Sequence, residues 1–328
     1  MTRRLFRLFI AILLLALVAA GSIFGWGYAQ FTRPGPTAHD RDVLLAKGSG
    51  LDDIAERLAA AGVIEQAFVF RIGVRLGGWS RGLQAGEFRF PARVSMRGAV
   101  EILRKGDTVV RRVTIPEGLS SHQVVALLLQ TPGLRGEVAE APAEGTLLPE
   151  TYHFSYGDER AVLLARMAEA MNTTLAKLWP KRDQGLPFAS PDEARSLAAM
   201  VEKETSLAEE RPRVAGVFIN RLRRGMRLQS DPTVVYGLTG GARPLGRALS
   251  REDLDRPTPY NTYRIGGLPP GPIANPGRAA IWAVLHPMVS NELYFVADGT
   301  GGHAFAATFA QHRRNVRRWR RAKAAPAR

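Results

Sequence analysis

The sequence predicts an α+β protein with an N-terminal transmembrane helix, a small α/β module, and a mixed α+β domain with long irregular loops. Three observations support this fold class: an uncharged stretch near the N-terminus, short strand and helix patterns up to about residue 130, and strong amphipathic helices around a later Gly/Pro-rich region. The chain has 328 residues, room for about two domains of ~100 to 200 residues each. The predicted segments are a cytoplasmic N-terminus at 1–7, a transmembrane anchor at 8–31, the module at 40–130, the second domain at 144–312 and a basic tail at 313–328.

The N-terminal stretch from Leu8 to Phe31 contains no charged residue. As a helix it would be about 36 Å long, which exceeds the ~30 Å hydrocarbon core of a bilayer. Three arginines precede the stretch and one follows closely, so the positive-inside rule places the N-terminus in the cytoplasm and the bulk of the chain outside it. The alternative is a signal peptide cleaved after Ala20, but the apolar stretch continues well beyond that residue.

The overall composition excludes several classes of function. The formal net charge of +15 comes mostly from the two ends of the chain, so a broad nucleic-acid-binding face is not expected. The absence of cysteine excludes disulfide scaffolds, cysteine-ligated metals and thiol nucleophiles. The six histidines are scattered without metal-ligand spacing, so we expect neither a metal site nor a cofactor.

A short repeat marks the predicted module. Gly48–Leu58 and Gly118–Leu128 align, and in each a glycine follows an extended apolar run and precedes an amphipathic helix. Between them, residues 86–91 alternate like a strand and Val94–Leu103 like a helix. This unit resembles the LysM-like module of peptidoglycan-binding proteins, and both sugar binding and a purely structural stalk remain open.

The second domain is predicted to combine strong helices with an irregular region at 237–277 that would form the walls of a cleft. The basic tail is either a solvated, frayed helix or a weak contact for acidic lipid headgroups or wall polymer. The predicted elements are helices at Ala161–Leu178, Pro191–Leu207, Pro212–Arg224 and Arg278–Leu285, and a strand at Leu293–Ala297.

The helix that begins after Ser190 carries the candidate chemistry. Ser190 is a good N-cap, and the apolar stripe that follows leaves Glu202 and Glu204 at its two margins. A partly desolvated carboxyl keeps its proton more readily and can act as the general acid that glycosidic cleavage requires. From periodicity alone, an ordinary charged rim on a core helix is the favoured explanation, and periodicity does not choose between the two glutamates.

Several long, ordered motifs resemble the endolytic murein transglycosylase family (MltG, YceG-like). The resemblance implies an inner-membrane, single-pass lytic transglycosylase with a periplasmic bulk, a LysM-like module and a catalytic domain at 144–312. It assigns the catalytic role to Glu204 and makes Glu202 a supporting candidate, while the tail beyond His312 lies outside the pattern. The motifs are residues 201–205, 210–222, 225–237, 260–263, 267–277 and 294–299.

The resemblance also implies a reaction and a substrate. Such enzymes cut the β-1,4 bond between N-acetylmuramic acid and N-acetylglucosamine in nascent peptidoglycan strands, leave 1,6-anhydro ends, and so limit strand length beside the synthases. Polar residues in the matching motifs would bind the glycan, and each also has a packing or turn-forming interpretation. The substrate-binding candidates are Gln229, Asn261, Asn220, Tyr236 and Tyr263.

Two other functions remain open from the sequence. One is a non-catalytic, membrane-anchored scaffold that binds peptidoglycan through the repeat. The other is a hydrolytic muramidase in which Asp231 or Glu202 supplies a second carboxylate and the products have reducing ends.

Overall fold

The structure is a computed structural model that describes residues 2–324. The chain divides into two compact units. Unit 1 contains the residues up to Arg111 together with Phe154–Gly157, and unit 2 contains Arg112–His153 and the chain from Asp158 onward. The chain contains both α-helices and β-strands, in agreement with the predicted α+β class.

Unit 1 begins with helix α1 (Thr2–Thr32), which is long and apolar enough to cross a membrane by length and composition. A two-stranded antiparallel sheet follows, in which β1 (Arg41–Leu45) pairs with β2 (Gly86–Phe90) and Val43 lies opposite Phe88. Inward-facing side chains of this sheet form one core with three short helices. These helices are α2 (Leu51–Ala60), α3 (Ala67–Leu76) and α4 (Met96–Lys105).

The two copies of the sequence repeat adopt the same local structure but belong to different units. In each, a strand leads to a glycine in the left-handed region, Gly48 at φ 89° or Gly118 at φ 76°, and a helix follows. The second copy consists of β3 (Val110–Thr114), which pairs with β4 (Thr151–Ser155), and α5 (Ser121–Leu129). Helix α5 lies in unit 2, so the boundary between units falls near residue 111 and not at the predicted 130.

Unit 2 is built around a helical core. Helices α7 (Pro191–Glu204), α8 (Arg211–Arg223) and α11 (Arg278–Leu285) pack on one another through small and branched apolar side chains. Helix α6 (Arg160–Leu178) joins the same cluster. The helices of this unit beyond α5 are α6 (Arg160–Leu178), α7 (Pro191–Glu204), α8 (Arg211–Arg223), α9 (Asp231–Thr239), α10 (Arg251–Asp255), α11 (Arg278–Leu285) and α12 (Phe309–Ala324), with a 3-10 turn at Trp179–Lys181.

The C-terminal part of unit 2 is an antiparallel hairpin of β5 (Tyr294–Ala297) and β6 (His303–Ala306), against which α12 packs. The rings of Tyr294 and His312 stack at 5.1 Å. The predicted boundary between catalytic domain and tail, at residue 312, therefore falls inside a helix that contacts the domain. Positions 325–328 of the predicted tail lie outside the described residues.

Candidate functional site

Glu204 is the last residue of α7. The helix starts with a capping box, in which Ser190 accepts a hydrogen bond from the backbone of Glu193 and the Glu193 side chain reaches back. It ends because Thr205 turns to extended backbone, at φ −143° and ψ 135°. The predicted continuation to Leu207 is therefore wrong. Glu204 is half-buried at this end, whereas Leu197 and Val201, two turns and one turn earlier in the helix, are fully buried.

The carboxyl of Glu204 has one close hydrogen-bonding partner. Ser230 Oγ, which is 1% exposed, donates to Glu204 Oε1 over 2.5 Å. The pKa of Glu204 is raised to about 7. Burial is the largest cause, and the negative charge of Asp231 acts in the same direction, while the Ser230 hydrogen bond and the positive charges of His303 and Arg221 oppose the rise. Near neutral pH this group therefore exists in both acid and base forms, as a group that must donate and later accept a proton requires.

The segment that supplies Ser230 is held in a strained conformation. Gln229 has φ 52°, in the left-handed region that non-glycine residues rarely adopt. Two hydrogen bonds to Thr262 fix it, one from the Gln229 amide to the Thr262 carbonyl over 3.1 Å and one from the Ser230 amide to Thr262 Oγ1 over 2.9 Å. Backbone strain that is held in place by surrounding hydrogen bonds is typical of functional sites. It leaves the Gln229 side chain exposed beside the residue that binds Glu204.

Asp231 and Tyr263 form a second polar pair next to Glu204. The Tyr263 hydroxyl donates to Asp231 Oδ1 over 2.6 Å. Burial and this carboxylate raise the pKa of Tyr263, so its hydroxyl keeps its proton. Asp231 itself is exposed at the first turn of α9, where the positive end of the helix dipole favours its charge.

A second network holds the turn that follows Glu204. Thr205 Oγ1 donates to Glu210 Oε2 over 3.1 Å, and the same oxygen lies 2.6 Å from His303 Nδ1. The backbone amide of His303 donates to the other Glu210 oxygen over 2.8 Å. These bonds lower the pKa of Glu210 despite its partial burial. The network ties the β5–β6 hairpin to the turn that follows α7.

Arg221 completes the charges around the site. Its buried guanidinium donates to the carbonyls of Leu293, over 2.6 Å, and Leu228, over 2.7 Å. Burial lowers the pKa of Arg221. The arginine braces the strand and loop that enclose Glu204 and contributes a positive charge to its surroundings.

Glu202 is bound to groups inside the fold. Its side chain is 3% exposed and accepts a hydrogen bond from Arg211 Nη2 over 2.8 Å. Its other oxygen accepts from the backbone amide of Gly277 over 2.9 Å, at the start of α11. Arg211 also contacts Glu117 at 3.0 Å. Both Glu202 oxygens thus accept hydrogen bonds inside the fold, and its supporting catalytic role stays a prediction.

Two of the five substrate-binding candidates brace loops in the structure. The Asn261 amide, 1% exposed, donates to the carbonyls of Leu254 and Arg256 and accepts from the Tyr263 amide. The Asn220 amide donates to the carbonyls of Ser290, over 2.8 Å, and Glu292, over 3.0 Å. Their amide N–H groups hold backbone carbonyls in place, and a role of these two residues in substrate binding stays a prediction.

Tyr236 lies farther along α9, near its C-terminal end. Its ring centroid is 4.8 Å from that of Tyr260, and its hydroxyl binds the Glu144 carboxylate. Burial raises the pKa of both Tyr236 and Glu144. Glu144 also accepts from the Ser121 amide over 2.8 Å, so this half-buried cluster links α9 to α5 within unit 2.

The structure therefore brings together Glu204, Gln229 and Tyr263 of the predicted set, while the side chains of Glu202, Asn220 and Asn261 bind groups within the fold. Sequence reasoning missed Ser230, His303 and Arg221, which lie far from Glu204 along the chain, and also Glu210, which is six residues away. Only the Ser-Asp-Pro start of α9 offered a local signal, because serine before such a helix is a common cap. Within residues 2–324, no group of His, Asp or Glu side chains is arranged to hold a metal ion.

Known proteins resemble this chain over a region that includes the site around Glu204. Residues 43–318 match the model of the YceG-like family. A YceG-like protein from Listeria monocytogenes, known from a crystal structure, has 28% sequence identity and a TM-score of 0.53, with 85% of this chain and 99% of that chain covered.

Two relatives carry a functional name. The endolytic murein transglycosylase of Streptococcus pneumoniae (strain D39) is 28% identical, over 92% of this chain and 63% of the relative. The endolytic murein transglycosylase of Bacillus subtilis is also 28% identical, over 83% of this chain and 82% of the relative. The chain thus spans less than two thirds of the streptococcal protein.

Proposed function

The chain belongs to the YceG-like family, and from this membership and the geometry around Glu204 we propose that it is an endolytic peptidoglycan lytic transglycosylase. It would cut the β-1,4 bond between N-acetylmuramic acid and N-acetylglucosamine in nascent strands, leave 1,6-anhydro ends, and so limit strand length. The relatives from Streptococcus pneumoniae and Bacillus subtilis that carry this name support the same activity.

The observation that carries the proposal is one half-buried carboxyl with a pKa of about 7 and a single hydroxyl donor on one of its oxygens. Because Ser230 donates to Glu204 Oε1, the acidic proton is carried by Oε2. The protonated carboxyl donates that proton to the glycosidic oxygen as the bond from this oxygen to C1 of the muramoyl sugar breaks.

The second half of the reaction uses the carboxylate left behind. Glu204 accepts the proton of the muramoyl 6-hydroxyl while that oxygen forms a bond to C1 of the same sugar. The acetamido oxygen of the substrate stabilises C1 between the two steps. The proton returns to Glu204, no water is consumed, and no nucleophilic carboxylate is needed.

Exposed residues beside Glu204 would contact the glycan. Gln229 offers a free amide held in place by its strained backbone, and Tyr263 offers an aromatic edge fixed by Asp231. Tyr236 would bind a sugar farther along α9 through its ring, which Tyr260 supports.

The proposal includes a location. Helix α1 would anchor the protein in the cell inner membrane, with the chain from residue 34 onward on the periplasmic side because arginines cluster before the apolar stretch. Unit 1 would serve as a LysM-like module that holds glycan. Cleavage next to the membrane would place the enzyme beside the synthases that extend the strands.

A hydrolytic muramidase is a second candidate because the charge of Asp231 acts on Glu204. Asp231 could activate water as a general base, and the products would then have reducing ends. The hydrogen bond from Tyr263 favours the lytic reaction, since it occupies one oxygen of Asp231.

The test is digestion of uncross-linked glycan strands by the detergent-solubilised chain, with the ends identified by mass spectrometry. Glu204→Gln should abolish 1,6-anhydro ends. Glu209→Gln, the same change at an exposed neighbouring residue, should retain them. Full activity in Glu204→Gln would refute the site, and absence of cleavage by the unaltered chain would support a binding scaffold.

A further inference from the structure

An apolar groove lies between the C-terminal part of α1 and helix α3, both in unit 1. The cavity has a volume of about 630 Å³, which falls within the ~300–1,000 Å³ of typical small-molecule sites. One wall comes from the exposed face of α1 around Phe24 and Tyr28, and the other from Phe68, Ile72 and Leu76 of α3.

The α3 wall is unusually apolar for a surface helix. Phe68 is 65% exposed, Ile72 40% and Leu76 72%, and their spacing of four residues puts them along one side of the helix. The opposite side of α3 is also apolar, because Phe70 and Val74 are fully buried in the core of unit 1. Exposed apolar patches of this kind mark surfaces that contact a membrane, a ligand or another protein.

The junction between the two helices is closely packed. The Phe31 ring lies over Gly73, where an added Cβ atom would come within 2.4 Å of it, and it stacks on Trp79 at 6.3 Å between ring centroids. This packing fixes the exposed face of α3 beside the last turns of α1.

The position of the groove along α1 identifies its occupant. The uncharged stretch Leu8–Phe31 is about 36 Å long as a helix, several ångströms more than the ~30 Å hydrocarbon core, so its C-terminal end lies near the membrane interface. Trp26 and Tyr28 are the amphipathic aromatic residues expected at that depth. The α3 face lies beside these residues, at the level of the outer leaflet.

The charges around the groove fit a lipid surface. Arg97 is the one charged residue among the described residues that line it. The arginines of α3 lie away from the groove, since Arg71 contacts Asp52 at 3.3 Å and Arg75 contacts it at 3.7 Å. Arg97 itself pairs with Glu101 of the same helix, at 3.2 Å between Arg97 Nε and Glu101 Oε1. The groove therefore carries little net charge, and its apolar lining complements acyl chains.

We propose that the face formed by Phe68, Ile72 and Leu76 inserts into the membrane leaflet on the side of unit 1, with phospholipid acyl chains filling the groove. Unit 1 is then held against the bilayer by a second apolar contact besides α1. This inference rests on the proposed anchoring by α1 and is independent of the catalytic activity.

The absence of cysteine from the chain makes a direct test possible. Single nitroxide labels are placed at Phe68→Cys and Leu76→Cys in the full chain, reconstituted in vesicles of phosphatidylethanolamine and phosphatidylglycerol. Leu13→Cys, inside the apolar stretch, and Lys47→Cys, on an exposed turn, are the controls. Electron paramagnetic resonance then compares collisions with oxygen, which concentrates in lipid, and with a water-soluble nickel chelate.

The expected result is a ratio of oxygen to nickel accessibility at 68 and 76 that is several-fold above that at 47 and approaches that at 13. Ratios at 68 and 76 equal to that at 47, or protection from both reagents as under a protein partner, would overturn the inference. A ratio at 13 equal to that at 47 would overturn the anchor and the inference with it. Both labelled positions are exposed, so the labels leave the core of unit 1 intact.

Discussion

Replacing Glu204 with glutamine should stabilise unit 2 at alkaline pH. Burial raises the pKa of this carboxyl from 4.5 to about 7 in the folded chain. A carboxyl group whose pKa is raised by folding stabilises the folded state. This stabilisation is fully present below the pKa of the unfolded state and is lost as the pH rises through the pKa of the folded state. Between pH 5 and pH 8 the unaltered protein should therefore lose about 2.5 kcal/mol relative to Glu204→Gln. This is an upper value because solvent reaches the half-buried side chain.

Hydrogen exchange measures this difference within unit 2. Exchange of the α7 and α8 amides, followed by mass spectrometry across a urea series, gives the free energy of opening for these helices alone. Comparing the two proteins at each pH cancels the intrinsic pH dependence of exchange. Glu209→Gln, at an exposed position, should show no pH-dependent difference from the unaltered chain.

A difference between Glu204→Gln and the unaltered chain that stays constant from pH 5 to pH 8 would refute the reasoning. It would mean that the pKa of Glu204 is that of an ordinary exposed carboxyl. The group would then be ionised at neutral pH and a poor proton donor.

Three further predictions concern the surroundings of Glu204. Ser230→Ala removes a hydrogen bond that lowers the pKa of Glu204, so the alkaline limb of the pH profile of kcat/KM should move up by about one pH unit; an unmoved limb would contradict this. Glu202→Gln breaks a buried pair with Arg211 and should lower the free energy of unfolding in urea by about 3 kcal/mol, whereas a loss below ~0.5 kcal/mol would show that the pair is dispensable. Gln229→Gly relieves left-handed backbone strain and should raise stability by about 0.5–1 kcal/mol while lowering kcat/KM on glycan strands; unchanged kcat/KM would remove Gln229 from the glycan site.

Local signals explain which parts of the fold the sequence predicts well. The start of α7 follows from its capping box, and α11 has the bounds Arg278–Leu285 that the pattern indicates. No helix was predicted at α9, where proline occupies the first turn. Helix α3 was not predicted, and it differs from α2 and α4 in having large apolar residues on both its buried and its exposed side.

The site was less predictable than the helix that carries it. Periodicity places Glu202 and Glu204 on opposite margins of α7, and the structure agrees, but their partners come from distant segments. Arg211 and the first residue before α11, Gly277, bind Glu202, and Ser230 binds Glu204. The polarity of Asn261 likewise could not show that its side-chain amide binds backbone carbonyls. Such assignments depend on long-range contacts that no local pattern encodes.

The proposed chemistry is tested most directly by cleaving glycan strands in water enriched in oxygen-18. If the 6-hydroxyl closes on C1 through Glu204, every new muramoyl end is a 1,6-anhydro sugar without the heavy isotope. Incorporation of oxygen-18 at C1 of the new ends would show that water attacks, and the intramolecular mechanism assigned to Glu204 would be wrong.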